Sequence, residues 1–506
     1  MNSVVMIPEV VVEVNGTRLS ADVIQSLGEV RVQQRLSLPT QCELNFYEAG
    51  ESSLGASTLS PGSVLRLTLT GHPEALFAGE VVAVEYVYGP SRERVVRIRA
   101  YDVLHRLRKR QEVRAHVQVS FLELVRELVR DLEITVRAGD SGLVWQRIIQ
   151  HGQSDFDLLL EYAERCGVYF WLHDRVLSVL TLNGAGDVVP LSLGDTLLEA
   201  RVELNGESAC RSVTTFGWDP ARARSYQGGT RRARVGRHIE TDMSPSRVHG
   251  TGERTQVNAS VENEPQATAM AQAELDVRVA REVTVWGVAE GDPRLRPGTR
   301  IDVQGVDRGI AGRYVLTMAI HTVDSDKGYI TELSTVPPVP QTRVRSTSVA
   351  PGVVTNIDDP DELGRVKVSL PSYRDVETDW MGILVPGAGI DKGLVALPDV
   401  GDVVLVLFAQ SNPAHGIVLG GLYGEQLPPD SGIGSGAIQR YTFVTPGGQR
   451  VQLDDGRATI RLENSDGSAF ELSPDRVRLY SQRDLDIDAP NQRIRIRGRA
   501  IDFEQL

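Results

Sequence analysis

The sequence predicts a mainly β protein with a few helices: an α+β amino-terminal region of barrel-like sheets, a small closed barrel, and a carboxyl-terminal β-prism that needs three chains. Three observations carry this. Period-two alternation of apolar and polar residues recurs along the chain. Helical periodicity is confined to three short stretches. The last 60 or so residues repeat short apolar pairs at a spacing of about eight residues, with turn residues between them.

Residues 1 to about 110 alternate as half-buried strands do, in Val10 to Val14, Val64 to Leu69 and Val95 to Arg99, with Gly, Pro and Ser between. The first helix begins in "SFLELVRELVRDL": Ser120 is placed to cap it, Glu123 three residues on completes a capping box, and Leu122, Val125, Val129 and Leu132 share a face. A second helix follows in "QSDFDLLLEYAERCG", capped by Ser154 with Asp157 as its partner. Phe156, Leu159, Leu160 and Ala163 form its stripe, and Gly167 is its stop. "VYFWLHDRVLSVL" predicts a hairpin turning near His173 and Asp174, and a third helix covers about Gln266 to Val279. Strands continue to about Leu333, and the Pro-rich stretch 335–352 has the composition of an extended linker.

Beyond it the texture is wholly β. "GVVTNIDDPDELGRVKVSLPS" predicts two strands, "GLVALPDVGDVVLVLF" two more around Pro398 to Gly401, and "GIVLGGLYGEQLPPD" a fifth. Five short strands in roughly 75 residues fit a small barrel of the oligonucleotide/oligosaccharide-binding type, the OB-fold. "DSGIGSGAIQR" then has the composition of a glycine-serine hinge. These readings divide the chain at 1–343, 344–429 and 430–506.

In the last segment the apolar pairs are Val451/Leu453, Ile460/Leu462, Phe470/Leu472, Val477/Leu479, Leu485/Ile487, Ile494/Ile496 and Ile501/Phe503. Each strand offers about two inward side chains and no helix covers them, so the repeat is incomplete alone. A single-chain solenoid at about 24 residues per coil would make only about two coils, short of the three or more that hold such a fold together. Three chains around a common axis close each apolar face against two others, with strand edges paired between chains. The first twelve of these residues are the expected dry column, with Arg, Asp and Glu outside.

Composition narrows the function. The chain has 506 residues, 41% hydrophobic and 24% charged, enough for about three domains of ~150 residues. No run approaches ~20 apolar residues, and the amino end lacks a basic region followed by a cleavage site. Synthesis in the cytoplasm without a signal peptide is expected. Three scattered cysteines, Cys42, Cys166 and Cys210, imply buried thiols rather than a disulfide framework. A net charge of −13 opposes nucleic-acid binding as a main task, and the basic run "TRRARVGRH" (230–238) fits a solvated face. The barrel's few aromatics, chiefly Tyr373, Trp380, Phe408 and Tyr423, stand amid acidic residues and suit core or interface roles better than base-stacking platforms.

Enzymatic patterns are weak. None of the nine histidines is followed by Glu, so the HExxH zinc-protease pattern is absent. "GIGSG" (432–436) is not the G-x-S-x-G elbow, and Ser435 belongs to the hinge; "GAGIDKG" (387–393) lacks phosphate-loop spacing. Asp155 and Asp157 sit where a helix start attracts negative charge, and Glu161 and Glu164 lie beyond the apolar stripe. The expectation is a protein with no catalytic residue, no cofactor and no metal: the last histidine is His415 and no cysteine follows Cys210, so a needle tip holding metal through His or Cys is excluded.

"IIQHGQSDFDLLLEYAERCGVYFWL" (148–172) and "LGDTLLEARVELNGESACRSVTTFGWDP" (193–220) resemble the tail-hub domain of the VgrG and phage late-control families. "DPDELGRVKVSLP" (359–371), "LPDVGDVVLVLF" (397–408) and "GIVLGGLYGEQLPP" (416–429) are similar to the barrel of phage baseplate spike proteins and VgrG. The resemblance implies a homotrimeric spike of a contractile injection system. Its hub would meet the inner tube protein and baseplate proteins, its barrel would join hub to needle, and the needle would cross a membrane by mechanical force. Type VI members usually carry a longer needle and an aromatic-rich continuation after "VSLPS"; these departures favour an extracellular, phage-tail-like particle, with a type VI spike or a phage hub as the alternative. A tail-associated envelope-degrading enzyme is the rival from another class. The bare end, Ile501, Asp502, Phe503, Glu504, Gln505 and Leu506, would expose three apolar edges, so a PAAR-like tip protein is expected there.

Overall fold

In the computed structural model the described residues are 8–47, 59–72, 74–89, 94–139, 142–341, 346–409 and 412–504. They are mainly β, with four α-helices, and the chain separates into two compact units, residues 1–422 and 423–506.

The first unit is organised by an eleven-stranded antiparallel sheet. Its order is Leu197–Leu204, Val283–Glu290, Gly328–Ser334, Met318–Asp324, Leu27–Arg35, Gln41–Tyr47, Arg94–Tyr101, Ala75–Tyr88, Val64–Leu69, Val10–Val14, Thr17–Arg18. Alternation decides its faces: Val12, Val14, Val30, Val32, Leu44, Phe46, Leu65 and Leu67 all point into one core. At the other end Val283, Val285, Ala289 and Leu333 pack with Val189, Leu191, Ile301 and Val303 from a four-stranded sheet, forming a second core. Cys42, Cys166 and Cys210 are buried and form no disulfide, and burial pushes the Cys42 thiol far up.

A third core, running from Leu104 to Leu177, is largely helical. α1 is a single short turn, Ala21–Gln25. α2 (Phe121–Val129) starts as its sequence dictates: the Ser120 hydroxyl accepts from the Glu123 N–H and the Glu123 carboxylate accepts from the Ser120 N–H. Its buried face is Phe121, Leu124, Val125, Leu128 and Val129, with Leu132 beyond. Leu122 is only half-buried, because at helical spacing it falls at the edge of the stripe that Phe121, Leu124, Val125, Leu128 and Val129 define. α3 (Asp155–Cys166) carries the same box, Ser154 with Asp157, and ends on Gly167 at φ 63°, a left-handed cap that favours glycine. The hairpin that follows pairs Tyr169–His173 with Val176–Leu180 across Asp174 and Arg175, both at positive φ as the tight turn requires. α4 is longer than its periodicity suggests, Glu264–Glu282, with Asn263 as cap.

The barrel order is Val376–Glu377, Lys367–Leu370, Ser348–Asn356, Val403–Phe408, Gly416–Gly421, Gly382–Ile383. Two expectations are corrected. The stretch 335–352 is not linker throughout, since a strand begins at Ser348. Pro351 is tolerated because the neighbour Lys367–Leu370 starts only opposite Val353, leaving one side of the strand free there. "GLVALPDVGDVVLVLF" supplies one strand, not two: residues 394–398 join no ladder, Pro398 lacks an N–H, and Val395 is 81% exposed. Gly382–Ile383, running parallel to Gly416–Gly421, closes that side instead.

Barrel and amino-terminal region share a seam. Arg147 donates to the Glu377 carbonyl, the His151 and Tyr373 rings meet edge to face with centroids 5.7 Å apart, and Arg222 lies 3.5 Å from Asp361. His415 Nε2 is 3.5 Å from Glu262, whose carboxylate also accepts from the Gln146 N–H and the Gln266 amide. Burial pushes the Glu262 carboxyl up to about 7 and pulls His415 down to about 4.

Candidate functional site: the carboxyl-terminal ribbon

In the second unit five strands, Arg440–Val444, Arg450–Asp454, Thr459–Glu463, Ala469–Leu472 and Val477–Tyr480, form an antiparallel meander in sequence order. Short turns with Gly448 and Gly467 at positive φ connect two of the hairpins. The register brings the apolar residues into two rows across the sheet. One row is Tyr441, Leu453, Ile460, Leu472 and Val477. The other is Phe443, Val451, Leu462, Phe470 and Leu479.

All ten side chains lie on one face, and that face is open. Nine of them are between 36% and 66% exposed, with Leu472 half-buried. The opposite face carries the polar alternates and is the better covered of the two. Arg461 bridges Glu463 at 2.8 Å and Glu471 at 3.0 Å there. Removing the remaining apolar area from water is worth about 1 kcal/mol per side chain, roughly half of what full burial gives. A sheet that leaves its apolar face in water has the geometry of one layer of a larger core.

The rows have two members beyond the apolar pairs of the repeat, Tyr441 and Phe443, which the alternation in "RYTFV" signals. The stretch 430–440 has the composition of a glycine-serine hinge. Asp430 instead pins it: its carboxylate accepts from Arg440 at 2.8 and 3.0 Å, from the Thr442 hydroxyl at 2.8 Å and from the Gly432 N–H at 2.9 Å. These donors hold the Asp430 carboxyl well below the usual carboxylate range, the Arg440 guanidinium contributing most. Ser435 and Gly436, both at positive φ, turn a tight hairpin between Ile433–Gly434 and Ala437–Ile438. Ser435 is thus a turn residue.

The expected pairing of strand edges between chains is corrected for 440–480, where the ladders are within the chain. After Tyr480 the chain changes. Residues 481–504 join no strand, and Leu485, Ile487, Ile494, Ile496, Ile501 and Phe503 are all exposed, Phe503 at 90%. Asp502 and Glu504 are exposed beside them, while Gln505 and Leu506 lie outside the described residues.

The groups considered for chemistry are occupied structurally. Asp157 is in its capping box, and the buried Asp155 accepts from Arg114 at 3.0 Å and Gln150 at 2.8 Å. A cleft of about 1030 Å³ in the first unit is lined by Glu161, Glu164 and Glu274 among others. Glu161 pairs with Arg165 at 2.8 Å, Glu274 with Arg254 at 2.8 Å, and Glu164 accepts from the Gln341 N–H at 3.1 Å. Two arginines of the basic run are paired, Arg234 with the buried Asp276 at 2.9 Å and Arg237 with the buried Glu282 at 3.1 Å, both on α4, while Arg231 and Arg232 are exposed. In the barrel Phe408 is core, Tyr373 packs edge to face on it, and Lys367 lies over Trp380. Tyr423 is exposed.

Comparison with known proteins fits this architecture. A family model described as the Alg8 N-terminal domain matches residues 6–325, and one described as the type VI secretion system/phage-baseplate injector OB domain matches residues 350–423. The type VI secretion system spike protein VgrG1c of Pseudomonas aeruginosa is 22% identical over 474 residues, covering 84% of this chain. The match covers 62% of VgrG1c, so the chain spans less than two thirds of that relative's length.

Among solved structures, the E. coli c3393 protein is described as a type VI secretion component similar to the T4 bacteriophage tail proteins gp27 and gp5. It aligns over 81% of this chain and 99% of its own, at TM-score 0.56 and 13% identity. A chain of the Francisella PdpA–VgrG complex in its lidded form aligns over 95% of this chain and 81% of its own, at TM-score 0.57 and 10% identity. Through residues 6–325 the chain belongs to the Alg8 N-terminal domain family, and with the injector barrel that follows it resembles the VgrG and phage baseplate hub-spike proteins.

Proposed function

We propose that the protein is the non-enzymatic, homotrimeric central spike of a contractile injection system. One observation carries the reading: the ribbon at 440–480 presents ten apolar side chains on an open face while its polar face is the more covered. Three such ribbons facing inward would bury these rows against one another and put Arg461, Glu463 and Glu471 outside. Strands stacked across the axis at ~4.8 Å resist axial compression, which suits a needle driven by a contracting sheath. The protein transmits force and supplies no chemistry of its own.

In this reading the hub region meets the inner tube protein and the baseplate, the barrel links hub to needle, and the exposed Ile501 and Phe503 receive a PAAR-like tip protein or cargo. The barrel strand Lys367–Leu370 runs directly into the turn Pro371–Tyr373 without an aromatic-rich extension. This supports an extracellular, phage-tail-like particle assembled in the cytoplasm. The likeness to VgrG1c supports the alternative, a cell-anchored type VI device.

Fractionation of producing cells tests the reading. The protein should sediment with sheath and tube proteins in cell-free particles and should not release soluble fragments from purified peptidoglycan. Recovery only with the cell envelope would favour the type VI alternative, and peptidoglycan hydrolysis would favour the envelope-degrading rival.

A further inference from the structure

Past the meander two alternating segments face each other in composition. Residues 484–488 read Asp-Leu-Asp-Ile-Asp and residues 493–497 read Arg-Ile-Arg-Ile-Arg. In extended backbone each puts two apolar side chains on one face and three like charges on the other. The first triplet is Asp484, Asp486 and Asp488; the second is Arg493, Arg495 and Arg497. All six are exposed, and among the described residues none of them has an ion-pair partner. A row of three like charges beside a copy of itself repels; beside the other row it gains three cross-strand attractions on one face.

The turn between them decides where the rows meet. It is closed by the Gln492 N–H donating to the Ala489 carbonyl at 3.0 Å, with Pro490 first of the two central residues and Asn491 second at φ 60°. Proline followed by a residue at positive φ is the signature of a type II turn. Such a turn splays the strands that flank it, because its twist opposes theirs, unlike the turn at Ser435 and Gly436. Consistently, 484–488 and 493–497 form no ladder with each other. The two rows are complementary but are kept apart within one chain.

We propose that the acidic segment 484–488 of one copy pairs with the basic segment 493–497 of a neighbouring copy, so that an Asp/Arg zipper between chains sets the order and register of the needle below the meander. This rests on the trimeric reading above. Centre-to-centre pairing places Asp486 beside Arg495 whichever way the strands run, with Leu485 and Ile487 against Ile494 and Ile496 on the inner face. It also explains why this stretch, unlike 440–480, has no ladder of its own: its partner strands lie on other copies. The zipper rejects a one-residue slip, which would set charges against the apolar column.

The test uses the full-length chain. Asp486→Cys and Arg495→Cys are made separately and co-expressed, and the product is oxidised mildly and run on a non-reducing denaturing gel; Cys42, Cys166 and Cys210 are buried. The proposal expects a two-chain product from the co-expressed pair, none from either variant alone, and a three-chain product when one chain carries both changes. A one-chain product only, with the doubly changed chain linked to itself, would overturn it. Exchange of charge guards against variants that fail to assemble. Asp484→Arg, Asp486→Arg and Asp488→Arg together, or Arg493→Asp, Arg495→Asp and Arg497→Asp together, should lose most of the oligomer, and both sets combined should restore it. No restoration would count against the zipper. Native mass separates the two readings: three copies without a cross-chain disulfide overturns the zipper and leaves the trimer, whereas one copy overturns both.

Discussion

The hub sheet and the carboxyl-terminal ribbon are written in the same alternating pattern and end in opposite states. In the hub, Val32, Leu44, Phe46, Leu65 and Leu67 are at 0% exposure because their sheet finds apolar surface elsewhere in its own chain. In the ribbon, Leu453, Ile460 and Leu462 are each more than 40% exposed, because the described residues of that unit bring nothing to cover them. Alternation thus specifies a face and says nothing about what the face meets. The first sheet is covered by its own chain, and the ribbon's apolar face is left open.

The sharpest way to break this comparison is to cut both regions and compare how the loss depends on concentration. Phe46→Ala should cost about 3–5 kcal/mol, lowering the urea midpoint at every protein concentration. Leu462→Ala should barely change the isolated subunit yet cost about 1–2 kcal/mol per chain in the assembly, read as an apparent stability that falls on dilution. If Leu462→Ala destabilises independently of concentration, the ribbon has a core of its own. A second cut lies within the needle: Ile494→Asp should impair assembly by sedimentation, whereas Arg495→Asp, one position along, should be milder because it breaks one zipper contact only. Equal tolerance of both would contradict the facing.

The seam between hub and barrel gives a pH test of the self-complete region. Glu262 titrates at about 7 in the fold, above its ordinary value, so its contribution is full in acid and is lost as pH rises toward and through 7. His415 titrates at about 4, below its ordinary value, so its contribution is present above about 6.5 and fades as pH falls toward 4. Thermal melts of the wild type should therefore decline on both sides of mildly acidic pH, and Glu262→Gln should flatten the decline on the alkaline side alone. An unchanged alkaline slope would show that Glu262 is not the group responsible. The smallest effect belongs to the helix start: Ser154→Ala should cost about 1 kcal/mol by denaturant melts, since it removes the acceptor of the Asp157 N–H.

What the sequence revealed follows the range of the forces involved. The capping boxes at Ser120 and Ser154, the glycine stop at Gly167 and the turn at Asp174 are set by neighbours three or four residues away, and all were legible. The strand missing at 394–398 was not, because whether an apolar run joins a sheet depends on a free edge, here filled by Gly382–Ile383. The pinned hinge was hidden for the same reason: Asp430 meets Arg440 ten positions on and Gln452 twenty-two on, beyond any local pattern. In the candidate site the shared face of the pairs from Val451/Leu453 to Val477/Leu479 was readable from period two, while the in-chain ladders of the meander were not, since alternation is indifferent to whose edge a strand adopts.

The most direct measurement is the mass of the full-length protein in solution, taken together with limited proteolysis of the ribbon. The account predicts three copies per particle, with cleavage in 440–504 appearing only when the particle is dissociated. A well-folded single subunit at working concentration, its ribbon already resistant to protease, would contradict it.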